Sequence, residues 1–75
     1  MTHDEILQEI HAMRQNLLVF ERKYGVPSEL FFENYQNGEE PTDSIQVLDW
    51  TEWAATYKIL QRRLVQYQQH AHQLV

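Results

Sequence analysis

The residues in this chain able to do chemistry are four histidines and eleven carboxylates, and their spacing decides what they can reach. His70 and His72 form the one close histidine pair. Two residues apart on a helix, they point to nearly opposite sides and cannot chelate one metal; only an extended tail could use both. His3 and His11 lie near one helical face, but two turns separate them by about 12 Å of rise, beyond the span of a common ligand set. With no cysteine in the chain, a typical zinc site has no thiolate to draw on. Asp49 and Glu52 could in principle serve as an acid and a base. However, no nucleophile pairing or glycine-rich phosphate loop accompanies them, and a domain this small has little volume for a substrate pocket. These carboxylates read as helix caps and a solvated acidic face, so no catalytic, metal or cofactor site is expected.

Binding is the better-supported use of the acids. Between positions 29 and 52 the chain carries Glu29, Glu33, Glu39, Glu40, Asp43, Asp49 and Glu52 and no Lys or Arg, with Phe31, Phe32, Tyr35 and Trp50 among them. Acids without counter-ions repel one another and call for an external cation, while aromatics supply contact area at interfaces. These eleven residues are the candidate partner-binding set, and a basic protein is the expected partner. All six basic residues lie outside the segment. At a formal net charge of −5, with Arg14, Arg22, Lys23, Lys58, Arg62 and Arg63 scattered, autonomous nucleic-acid binding is not expected. The opening Met1-Thr2-His3-Asp4-Glu5 is acidic, and no uninterrupted apolar run follows. Neither a secretory signal nor a membrane span is expected, and a cytoplasmic location is the simpler reading.

The elements that must position these residues are helices. Thr2 with Glu5 forms a capping box, and Gly25 supplies a stop. Between them Ile6, Ile10, Met13, Leu17, Phe20 and Tyr24 advance alternately by four and three, a stripe that Leu7, Leu18 and Val19 widen. A short helix starts at Pro27 or Ser28 and ends before Gly38. Phe31 and Phe32 sit about 100° apart on it, so a three-helix miniature is expected to expose one of them. Two caps compete for the third helix, Asp43 with Gln46 and Asp49 with Glu52. From Trp50 onward the stripe is Trp50, Trp53, Tyr57, Leu60, Leu64, Tyr67, Ala71 and Leu74. Trp53 and Tyr57 are expected to pack on the first helix, while Trp50 is open to core or partner. Lys58, Arg62 and Arg63 pair with solvent or with Glu9 and Glu21. Past Tyr67 the last turns are expected to fray unless covered.

With the later start, the chain divides into a helix over 2–24, a short helix over 28–37, an acidic loop over 38–48 and a helix over 49–70. The expected fold is all-α: an antiparallel hairpin of two long helices bridged by the short helix and the acidic loop. A chain of 75 residues makes one small domain of modest stability, which a partner would help hold together.

Glu21-Arg22-Lys23-Tyr24-Gly25-Val26-Pro27-Ser28, then Phe31 and Gly38, then Asp49-Trp50-Thr51-Glu52-Trp53 with Tyr57, resembles small helical antitoxin-like proteins of prokaryotic toxin-antitoxin pairs. The resemblance spans about half the chain. It departs from the family pattern in a longer loop after Gly38 and in Pro27, where serine or threonine is common. It implies neutralisation of a small toxin, often ribonuclease-like, by direct contact, which suits an acidic segment laid over a basic catalytic surface. Two other expectations stand beside it: a homo-oligomeric helical bundle, and a small regulatory subunit of a larger complex. A homodimer or hetero-oligomer is expected in either case.

Overall fold

Three helices account for the fold in a computed structural model that describes the backbone of residues 3–74 and the side chains of residues 4–69. They are α1 (His3–Tyr24), α2 (Ser28–Gln36) and α3 (Ser44–Leu74), and no strand occurs among the described residues. The chain is therefore all-α. Thr2 of the expected first cap, and the side chains of His3, His70 and His72, lie outside the described residues.

Local chemistry explains the two breaks. Gly25 adopts φ +70°, a left-handed conformation that suits glycine, and its N–H still donates to the Glu21 carbonyl at 2.7 Å. Gly38 adopts φ +95° and closes α2 through a Schellman arrangement, its N–H donating to the Tyr35 carbonyl and that of Glu39 to the Asn34 carbonyl. The short helix thus stops at Gln36, one residue before the expected end.

The third helix starts earlier than the organisation above assumes. Asp43 Oδ1 accepts from the Gln46 N–H at 2.8 Å, while Gln46 Oε1 accepts from both the N–H and the hydroxyl of Thr42 at 3.0 Å. The first of the two competing caps wins because Asp49 is engaged elsewhere, and residues 44–48 are helix rather than loop. At the other end α3 continues to Leu74, past the expected limit of 70. Its Gln-rich stretch contains no glycine or proline to stop it.

One apolar face from each helix meets at a shared core. Ile6, Ile10, Leu17 and Phe20 from α1, Phe31 from α2, and Trp53, Ala54 and Leu60 from α3 are buried. Trp53, 1% exposed, is the centre. Its ring stacks on Phe31 at 3.8 Å and lies 5.7 Å from both Phe20 and Tyr24, so one side chain joins all three helices. Its indole N–H donates to Ser28 Oγ at 2.9 Å. Ser28 in turn donates through both its N–H and its hydroxyl to Glu21 Oε2, at 2.9 and 2.7 Å. A carboxylate from α1 thereby caps α2, a task that Pro27 cannot perform. Two ion pairs tie α1 to α3: Lys23 to Asp49 at 2.6 Å, and Arg63 to Glu9.

Candidate functional site

The acidic, aromatic segment divides in the folded chain into side chains that hold the fold together and side chains that face outward. Phe31, 5% exposed, belongs to the first group. It stacks on Trp53, meets the edge of Trp50 at 5.4 Å and lies 5.5 Å from Tyr35. Phe31 is thus a core residue and is withdrawn from any partner-contacting set. Of the adjacent phenylalanines neither is exposed: Phe32 is half-buried against Tyr57 at 4.9 Å. Phe31 takes the buried position and Phe32, about 100° round the helix, is left part-covered at the edge of the α2–α3 contact.

Asp49 also turns inward. Its Oδ2 accepts from Lys23 Nζ and from the Tyr24 hydroxyl, both at 2.6 Å. The hydrogen bond from Lys23 first, then that from Tyr24, holds the Asp49 carboxyl below its ordinary pKa. The same contact raises the Lys23 ammonium, and it raises the Tyr24 hydroxyl with help from burial. Tyr57 is raised as well, by burial and by the charge of Glu29. Trp50 is half-buried with its ring edge-on to Phe31 and Tyr35, and its indole N–H is buried without an acceptor.

What remains outward is acidic. Glu29, Glu33, Glu39, Glu40, Asp43 and Glu52 are all exposed. Glu29 and Glu33 stand one turn apart on the outer face of α2 with exposed Leu30 between them, and Glu39 and Glu40 follow directly in the loop. An open groove of about 300 Å³ between α2 and α3 is lined by Phe32, Tyr35, Gln36, Thr51, Ala54, Ala55 and Lys58. The half-buried Phe32 and Tyr35 thus form an apolar floor whose one charged lining residue is Lys58, a surface suited to a protein more than to a small polar molecule. Asp43 caps α3 at the edge of this surface, and Glu52 stands on the outer side of α3.

Sequence reasoning passed over Leu30, Ile45, Val47 and Leu48 as surface residues; all four are exposed, Leu48 at 73%. The signal was available. Once Asp43 and Gln46 are read as the cap, Ile45 and Leu48 fall on α3 outside the Trp50, Trp53 stripe. Arg63 finds Glu9, one of its two anticipated partners, whereas Glu21 serves Ser28 instead. Among the described residues no group of three His, Cys, Asp or Glu side chains is placed to share a metal ion, and no helix is long and apolar enough to cross a membrane. No family model, curated protein or solved structure matches the chain.

Proposed function

We propose that this chain is a non-enzymatic, antitoxin-like protein of the prokaryotic cytoplasm that binds and neutralises a small basic toxin, ribonuclease-like in type, by direct contact. One observation carries the reading: six of the seven acids between Glu29 and Glu52 stay exposed, no basic residue lies within that segment, and only Asp49 is neutralised internally. Glu29, Glu33, Glu39 and Glu40 form the electrostatic part of the contact, with Leu30, Phe32 and Tyr35 supplying apolar area. The resemblance of Lys23-Tyr24-Gly25 and of Asp49-Trp50-Thr51-Glu52-Trp53 with Tyr57 to antitoxin-like proteins points the same way.

The scaffold in this reading is an antiparallel hairpin of α1 and α3, bridged by α2 and the acidic loop. Its support is the order of the ion pairs: 14 residues back along α1, from Lys23 to Glu9, match 14 residues forward along α3, from Asp49 to Arg63. In that register residues 44–47 run past the end of α1, which accounts for the exposure of Ile45 and Val47.

The test is a rescue experiment. A small basic protein encoded in the adjacent reading frame is expressed to the point of growth arrest, and the parent chain restores growth by forming a complex with it. Combined Glu29→Lys, Glu33→Lys and Glu40→Lys substitutions keep the helicity and abolish rescue. Equal rescue by the substituted chain, or rescue without a complex, removes the proposed surface.

A further inference from the structure

The chain has three asparagines, and only one of them is placed to react. Asn16 lies inside α1 ahead of Leu17, and Asn34 lies inside α2 ahead of Tyr35, each on helical backbone and followed by a bulky side chain. Asn37 instead follows the last residue of α2, is exposed, and precedes Gly38. Its side chain makes no hydrogen bond among the described residues. Around Gly38 the space is open, since a side chain begun there would meet nothing within 4 Å. The Gly38 nitrogen is therefore sterically unobstructed, and joining it to the side-chain carbonyl carbon of Asn37 closes a five-membered ring.

We propose that Asn37 is a site of spontaneous deamidation whose rate is set by the turn that ends α2. The Gly38 nitrogen gives its proton to water and attacks the Asn37 side-chain carbonyl carbon. The new C–N bond closes a cyclic imide, and the amide nitrogen takes up a proton and leaves as ammonia. Water then opens the imide. Addition at the side-chain carbonyl leaves an aspartate on an ordinary main chain. Addition at the main-chain carbonyl leaves an isoaspartate, whose main chain runs through the former side chain and is one methylene longer.

The folded turn slows this reaction without blocking it. At Asn37 ψ is 6°, so the Gly38 nitrogen lies nearly eclipsed with the Asn37 nitrogen, whereas ring closure needs it eclipsed with Cβ. The Gly38 N–H also donates to the Tyr35 carbonyl at 3.2 Å, and that of Glu39 to the Asn34 carbonyl at 3.1 Å. Rotation about ψ breaks both bonds, at an exposed helix end where local opening costs least. Either product adds a carboxylate to a segment that already holds seven acids and no base, at the end of α2 where the helix dipole is negative. The isoaspartate also takes the Schellman closure out of register. The modification thus raises the charge of the acidic segment and loosens the turn that ends α2; it involves this chain alone and stands or falls independently of any toxin.

Intact mass and fragment mapping of the full chain, held at mildly alkaline pH, read the reaction. The chain gains one mass unit, the gain maps to Asn37, and isoaspartate is detected there by methyltransferase labelling, while Asn16 and Asn34 stay intact in the same sample. Asn37→Gln abolishes the gain, because its ring would be six-membered and closes far more slowly; the position is exposed, so unchanged circular dichroism verifies that the fold is kept. In urea concentrated enough to unfold the chain, the rate at Asn37 rises about tenfold or more, since two backbone hydrogen bonds no longer oppose ring closure. A folded chain with no gain, an equal gain at Asn16 or Asn34, a gain that survives Asn37→Gln, or a rate unchanged by urea overturns the proposal.

Discussion

Trp53 and Trp50 are three residues apart on one helix, yet their environments make opposite predictions. Trp53 is fully buried, stacked on three rings and hydrogen-bonded to Ser28. Trp53→Ala removes packing and transfer energy together and is expected to cost about 3–5 kcal/mol, enough to unfold a domain of this size. The milder Trp53→Phe still loses the Ser28 bond, whereas Trp50→Phe removes a buried N–H that has no acceptor. Thermal melts should therefore rank Trp53→Phe below Trp50→Phe, and the reverse order would show that the Ser28 contact contributes nothing. Asp49 predicts a pH dependence. Its folded pKa lies below the ordinary value of about 4, so its contribution is present above that pH and is lost as pH falls through the folded value. Lys23 and Tyr24 are raised, so their contributions are present below about pH 10 and are lost as pH rises through their folded values. The difference in melting temperature between the parent and Asp49→Asn should form a plateau that shrinks at both ends. A difference independent of pH would place the Asp49 effect in packing alone.

At the scale of the element, the start of α3 decides how much of the chain is helix. Asp43 holds the first turn by accepting from Gln46, and the turn from Ser44 to Leu48 has little else to hold it, since Ile45, Val47 and Leu48 are exposed. Asp43→Ala is expected to cost about 0.5–2 kcal/mol, with the loss concentrated in that turn. Hydrogen exchange at residues 46–48 should quicken while Trp53 and its neighbours stay protected. Uniform loss across α3 would mean that the cap is coupled to the whole helix. Two competing caps six residues apart are equivalent by local spacing. Lys23 and Tyr24 decide between them by engaging Asp49 from another helix.

For the whole molecule, the charge map has kinetic consequences. With Glu29, Glu33, Glu39 and Glu40 all exposed, association with a basic protein should be steered over roughly the 8 Å screening length at physiological salt. Charge reversal at Glu39, Glu40 and Asp43 should slow association, and raising salt should slow the parent more than the reversed chain. Equal on-rates with equal salt dependence would leave the apolar groove around Phe32 and Tyr35 as the contact.

Much of this architecture follows from local rules. Gly25 and Gly38 stop helices because left-handed backbone suits glycine, and the alternating three and four spacing puts Ile6, Ile10, Leu17 and Phe20 on one face and Trp53, Leu60 and Leu64 on another. Segregation of the acids from the bases is likewise a property of the chain itself. Tertiary structure decided which members of equivalent pairs face inward. Phe31 rather than Phe32 stacks on Trp53, Asp49 rather than Asp43 turns toward α1, and Glu21 rather than Pro27 caps α2. Each choice depends on a residue from another helix, separated in these cases by between seven and twenty-six positions. Spacing along one helix is silent about that partner, because periodicity defines a face and only packing determines what the face meets.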